Sequence, residues 1–179
     1  AVCEKNPNTV LYLVTGYPYS ITEEREKAGA VLCSTHLGPC LGHVAAETLF
    51  GENNPAGRTP TTWYRSIRDL PALDDYDIMK NRTTYLYFDG KPLYPFGYGL
   101  SYTTFEQTLD NLNVDLENET VTANVTVKNT GSVAGKDVVQ LYVSLPYTDY
   151  DKEHGVEKAA IQLLDYGKTA ELAPGASET

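Results

Sequence analysis

The pattern of apolar and polar residues changes character partway along this chain. Thr9-Val-Leu-Tyr-Leu-Val14 is a near-continuous apolar run closed by Gly16, the pattern of a strand buried on both faces. Ser20-Ile-Thr-Glu23 has the spacing of a capping box and predicts a short polar helix through Lys27. Ala28-Gly-Ala-Val-Leu-Cys-Ser34 reads as a second apolar strand. From Leu41, the positions Val44, Ala45, Thr48 and Leu49 follow helical spacing, and Gly51 stands where a C-terminal cap belongs. Asn53-Asn-Pro-Ala-Gly57 is turn chemistry, followed by an extended stretch from Arg58 to Tyr64. Strand, helix, strand, helix in this order predicts βαβ architecture and a parallel α/β sheet. Such sheets bind ligands at the carboxyl ends of their strands, here Thr15 to Tyr19 and Thr35 to Pro39.

Residues 65–105 are irregular and rich in aromatic rings, ending in Tyr94-Pro-Phe-Gly-Tyr-Gly-Leu-Ser-Tyr102. A free linker would be polar. A stretch this apolar is expected to be packed, either between the two parts of this chain or against a partner outside it. From Phe105 the signal is β. Val121, Ala123, Val125 and Val127 alternate with Thr122, Asn124, Thr126 and Lys128, predicting one inward and one outward face. Asn129-Thr-Gly-Ser132 turns the chain and Asp137 to Ser144 returns it; further strands are expected around 159–164 and 168–172. Short strands at this spacing predict an immunoglobulin- or fibronectin-type sandwich. Four or five strands fit before Thr179, against ~7 in a complete sandwich, so the domain is expected to be cut off there. The resulting organisation is 1–75 α/β, 76–104 connector and 105–179 β.

Charge and composition narrow the function. The 179 residues carry a formal net charge of -10, with 6 basic and 9 acidic side chains up to residue 75 and 8 and 15 beyond it. That balance argues against nucleic-acid phosphates and anionic membrane surfaces as partners. With glycine counted as apolar, the apolar share is ~49%, that of a globular chain. No apolar run approaches the ~20 residues of a membrane span. The chain opens Ala1-Val2-Cys3-Glu4-Lys5 without a signal peptide or starting Met, the opening of an excised piece or processed product, and the compartment stays open. The odd number of cysteines, Cys3, Cys33 and Cys40, fits reduced thiols in a small-residue core better than a disulfide framework.

Few constellations could carry chemistry. Cys33, His36, Cys40 and His43 offer ligands suited to tetrahedral zinc, but a strand end and a helix start keep four such groups from converging, so no metal is expected. Glu23, Glu24 and Glu26, like Asp74, Asp75 and Asp77, are sequence neighbours. A glycosidase needs two carboxyls facing each other ~5–10 Å apart, whereas neighbours of this kind form a solvated face. No glycine-rich phosphate loop follows either strand, so neither a nucleotide nor any other cofactor is expected. Asn81, Asn118 and Asn124 each begin a glycosylation sequon, which matters only in a eukaryotic secreted protein.

Longer motifs point further. Asn6-Pro-Asn-Thr-Val-Leu, Leu49-Phe-Gly-Glu-Asn-Asn-Pro-Ala-Gly-Arg58, Thr62-Trp63 and the run from Tyr87 through Tyr-Pro-Phe-Gly-Tyr-Gly-Leu-Ser-Tyr to Phe105 resemble the C-terminal half of glycoside hydrolase family 3. Asn129-Thr-Gly-Ser-Val-Ala-Gly-Lys-Asp-Val-Val-Gln-Leu-Tyr-Val143 resembles that family's fibronectin type III-like domain. The resemblance covers nearly the whole chain. It implies a retaining, exo-acting β-glucosidase or β-xylosidase whose N-terminal (β/α)8 barrel carries the nucleophilic Asp. The acid/base Glu of the family lies upstream of Ala1, so the resemblance transfers no catalytic residue. Its partners would be that barrel and an oligosaccharide substrate; rim position alone, not the resemblance, makes Tyr17, Tyr19 and His36 candidate substrate neighbours. Cys40 stands where the family commonly has Glu, in Gly38-Pro-Cys-Leu-Gly42. An incomplete sandwich would expose sheet edges and apolar surface through which the fragment could form a homodimer or aggregate. Two other readings stand beside this one, a non-catalytic carbohydrate-binding or adhesion module using exposed aromatics and a small metal-binding domain.

Overall fold

The computed structural model describes residues 2–179. In chain order the elements are α1 (Val2–Lys5), β1 (Val10–Val14), α2 (Thr22–Lys27), β2 (Ala30–Ser34), α3 (Leu41–Phe50), α4 (Thr84–Tyr87), β3 (Phe105–Asp115), β4 (Thr120–Asn129), β5 (Val138–Val143), α5 (Asp149–His154), β6 (Gln162–Lys168) and β7 (Ser177–Glu178). The order is mixed α/β first and β afterwards, as the periodicity predicts. Two compact units emerge. One comprises the described residues up to His43, Thr59–Tyr98 and Ser144–Gln162; the other comprises Val44–Arg58, Gly99–Val143 and Leu163–Thr179.

In the first unit β1 and β2 pair in parallel, Val10 opposite Ala30 through Val14 opposite Ser34, with α2 as the crossover. The capping box expected at Ser20 does not form. The helix starts at Thr22, and the Ser20 hydroxyl donates instead to the Tyr64 carbonyl while that of Thr22 donates to the Arg65 carbonyl. Tertiary bonds to a distant segment thus take the groups that a local cap would use. Nor is β1 buried on both faces: Val10 is exposed and the rest of the strand half-buried. The core here is Ile21, Trp63 and Leu93, with Leu11, Leu13, Val31 and Tyr94 against it. Trp63 N–H donates to the Tyr94 carbonyl at 2.9 Å, Leu93 N–H donates to the Trp63 carbonyl at 2.7 Å, and the Trp63 and Tyr94 rings meet edge to face. Further ring pairs, Tyr64 on Phe88, Tyr85 on Phe96 and Tyr94 on Tyr98, pack the aromatic stretch against itself.

The second unit holds an antiparallel sheet in the order β3-β4-β7 and a second pair, β5-β6. The inward phase of β4 begins at Ala123 and deepens to Val127; Val121, expected inside, is exposed. The turn at 129–132 leads to a different sheet, and the two strands expected over 159–172 are one, β6, followed by a single bridge from Leu172 to Gly135. Gly51, at φ +81°, ends α3 as a cap where expected.

The most heavily bonded residue of this unit is Asn129, next inward after Val127 on β4 and 0% exposed. Its amide nitrogen donates to the carbonyls of Val133 and Leu172, both at 2.8 Å. Its side-chain oxygen accepts from the Thr103 hydroxyl at 2.8 Å and the Gly131 N–H at 3.0 Å. Its backbone N–H and carbonyl bond to Ala176 and Gly175. Thr103 lies so close to Gly131 that any β-carbon there would collide with its hydroxyl. Two neighbouring knots continue the pattern. Asn54 donates to the Ala134 carbonyl and accepts from the Ser101 hydroxyl and the Tyr102 N–H. Buried Asp137 pairs with the Arg58 guanidinium and accepts from Gln107 at 2.7 Å.

An element the periodicity did not reveal is α5. Thr148 caps it: its hydroxyl accepts from Asp151 N–H while the Asp151 carboxylate accepts from the Thr148 N–H and hydroxyl. Buried Asp151 also pairs with Lys158 at 2.6 Å. The Lys158 ammonium, seconded by the Thr148 donors, lowers the Asp151 carboxyl to about 2.

Two outcomes follow from these networks. Asn129→Ala strands four polar groups in a dry interior and should lower unfolding stability by about 3 kcal/mol, read by urea denaturation; a loss below about 1 kcal/mol would show that the knot is redundant. Asp151 has a folded pKa below its unfolded value of ~3.9, so its contribution is complete above that pH and disappears as pH falls through about 2. The melting-temperature gap between wild type and Asp151→Asn should therefore be largest near neutrality and close under acid; a gap that widens under acid contradicts this linkage.

Candidate functional site

The carboxyl ends of β1 and β2 leave the same edge of a parallel pair, so the loops carrying Tyr17, Tyr19 and His36 emerge on one rim. The ladder continues one residue past β1, where Thr15 N–H donates to the Ser34 carbonyl at 2.9 Å. Buried Thr15 then folds the chain back on itself. Its hydroxyl accepts from the Tyr17 N–H at 3.0 Å and donates to the Tyr17 carbonyl at 2.9 Å. With its backbone held in this way, the Tyr17 side chain points into solvent, 77% exposed. Tyr19 and His36 are exposed as well. The rim therefore presents two phenols and an imidazole, groups that can donate and accept hydrogen bonds and offer flat faces to a ligand.

The zinc-like constellation is dispersed over three kinds of structure. Cys33 lies within β2, His36 in the following loop, Cys40 at the end of a 3-10 turn over Gly38–Cys40, and His43 in the first turn of α3. Cys33 and Cys40 are exposed rather than set in a small-residue core. Local desolvation still pushes the Cys33 thiol up, which disfavours the thiolate that a metal or an electrophile would need. Among the described residues no three His, Cys, Asp or Glu side chains are arranged to hold a metal ion.

The carboxylate runs serve local structure. On α2, Glu23 pairs with Lys27 at 3.4 Å, both exposed. In the 72–81 loop, Asp75 pairs with Lys80 at 2.8 Å and accepts from the Asp77 N–H. The Lys80 ammonium holds the Asp75 carboxyl below the usual carboxylate range, the opposite of what a general acid requires.

A cleft of about 170 Å³ lies among Met79, Arg82, Tyr87, Leu145, Tyr147 and Lys158. Pockets for drug-sized ligands run from roughly 300 Å³ upward, so it is small for the purpose. Both of its cations are also engaged, Lys158 by Asp151 and the Pro146 carbonyl, Arg82 by Asp89 at 2.9 Å. Sequence reading passed over this region, although Thr148-x-x-Asp151 is a capping signal in plain view. Among the described residues no helix is long and apolar enough to cross a membrane.

Residues 1–102 match the glycosyl hydrolase family 3 C-terminal domain. A periplasmic β-glucosidase of Salmonella typhimurium is 36% identical over 183 residues, covering 95% of this chain and 23% of the relative. A β-xylosidase of Formosa agariphila is 32% identical over 185 residues, 100% of this chain and 24% of the relative. Among solved structures, β-glucosidase 3B of Thermotoga neapolitana in complex with glucose superimposes with a TM-score of 0.83 at 32% identity, over 98% of this chain and 25% of that one. The chain thus spans about a quarter of the length of the relatives it matches. The residues that prompted the resemblance are those that tie both units together internally: Trp63, Leu93 and Tyr94 in one, Asn54, Arg58, Thr103, Asn129 and Asp137 in the other. Motif and fold agree, and the chain belongs to glycosyl hydrolase family 3.

Proposed function

We propose that this chain is the C-terminal scaffold segment of a retaining, exo-acting β-glycosidase that removes terminal non-reducing β-D-glucosyl or β-D-xylosyl residues. The observation that carries this reading is coverage. Nearly the whole chain aligns with β-glucosidases and a β-xylosidase while accounting for only about a quarter of each. In such an enzyme one carboxylate attacks the anomeric carbon and a second protonates the leaving oxygen. Both belong, on this reading, to parts of the enzyme outside this chain, the nucleophile on a (β/α)8 barrel. Residues 1–75 are then the end of the α/β sandwich domain, 76–104 the connector and 105–179 a fibronectin type III-like domain.

The rim is this chain's contribution to the sugar site. The Thr15 turn fixes the direction of Tyr17, and with Tyr19 and His36 it lies beside the substrate, which these groups orient by stacking and hydrogen bonding without entering the chemistry. The acidic surface, net charge -10, suits a neutral sugar and no polyanion.

The test is hydrolysis of 4-nitrophenyl β-glucoside and β-xyloside by the whole enzyme and by this chain alone. The whole enzyme should turn over at least one of them, and the chain alone should give nothing above blank. Turnover by the chain alone that survives repurification would instead place a carboxylate pair within it, with Glu23–Glu26 and Asp74–Asp77 the first candidates. In the whole enzyme, Tyr17→Ala should raise KM roughly tenfold, about 1.4 kcal/mol, without moving the melting temperature. An unchanged KM removes Tyr17 from the sugar site.

A further inference from the structure

The stretch from Ile67 to Met79 exposes more large apolar side chains than a solvated surface loop needs. Solvated loops turn their polar side chains outward. Here Ser66, Asp69, Asp75 and Asp77 use their side chains to hold the backbone. Ser66 and Asp69 form a reciprocal capping box around a 3-10 turn. The Asp75 N–H donates to the Ala72 carbonyl, and the Asp77 carboxylate accepts from the Lys80 N–H. Lys80 closes the loop through its ion pair with Asp75.

The large apolar side chains of the same stretch are exposed to solvent. Leu73 is 94% exposed, Tyr76 86% and Ile67 76%, and Leu70, Ile78 and Met79 are exposed with them. Six large apolar groups within thirteen residues, on a backbone fixed by its own hydrogen bonds, form a preordered surface that loses little entropy on being covered.

The surface area of the chain agrees. It exposes 12367 Å², whereas two fully separate domains of half its mass would expose about 10,400 Å² between them. Part of that excess is this segment, and the difference is of the order that a permanent interface removes from water.

We infer that the Ile67–Met79 segment is the docking face by which this chain packs against the remaining three quarters of its own enzyme. The inference rests on the glycosidase reading for the identity of that partner. The occupant follows from length: the relatives that this chain matches from end to end are about four times as long, so a larger body is available in the same polypeptide. Tethering supplies it at high effective concentration, and six exposed large apolar side chains suit permanent burial better than reversible encounter.

Hydroxyl-radical footprinting of the full-length enzyme, read by mass spectrometry, tests this directly. Leu73 and Tyr76 should react at least about tenfold more slowly than the same residues in urea-unfolded enzyme, as buried interface side chains do. Reaction within about twofold of the unfolded rate would overturn the proposal, because it would leave the face in water. Protection that disappears when the enzyme is diluted to monomer would also overturn it, by assigning the face to a second copy. Assaying the same sample on 4-nitrophenyl glycosides separates the two readings. Activity with exposed Leu73 and Tyr76 sinks the docking face alone, and protection without activity sinks the glycosidase reading alone.

Discussion

The carboxamide of Asn129 lies in a dry interior with both of its hydrogens and its oxygen bonded, and its backbone groups are matched as well. A buried amide is costly when any of these bonds is missing and specifying when all are present. Its partners come from four separate stretches of chain: Thr103, the 131–133 turn, Leu172 and the 175–176 turn. Loops that have no regular ladder of their own therefore have one place to converge. Asn54 and Asp137 repeat the device nearby, each collecting a side chain and a backbone group from distant positions. The β unit, with modest apolar burial at Val127 and Leu172, gains its unique arrangement from these polar knots more than from packing.

The α/β unit relies on a different balance. Trp63 sits between the parallel strands and the aromatic stretch, donating its N–H to Tyr94 and receiving Leu93 on its carbonyl, so that one residue supplies both core volume and a backbone bridge. The rings that follow satisfy one another in edge and stacked pairs, and Tyr64 uses its hydroxyl to hold the Thr84 N–H at 2.8 Å. What this unit offers outward is of two kinds. The rim carries polar aromatic groups suited to a sugar, and the Ile67–Met79 loop carries apolar groups suited to a protein surface. On the proposed function, the first would face the substrate site and the second would seat the chain on the rest of the enzyme.

Much of this was written in the chain. Period-two alternation in β4, the apolar runs of β1 and β2, the helical spacing from Leu41 and the glycine at position 51 are local signals, and each stands close to where it was expected. They are legible because backbone geometry imposes fixed periods on side-chain direction. The family motifs were legible for a related reason, since a knot with every bond filled admits few other residues. At the rim, Tyr17, Tyr19 and His36 follow from strand polarity alone; their placement on one edge required only that the pair be parallel.

Tertiary structure decided the rest, where a group has two physically reasonable partners. Ser20 could cap a helix locally but bonds across forty-four positions to Tyr64. Asn129 reads as a turn residue and is also the deepest polar group of β4, because its amide finds acceptors only once the 133 and 172 segments arrive. The strand expected over 168–172 gives way to a single bridge, since Thr169 is held by Asp137 rather than by a neighbouring strand. Sequence thus determined periodicity, strand direction and family. Which polar group meets which, and which apolar side chains are left exposed, depended on contacts between residues far apart in the chain, and no local pattern encodes those.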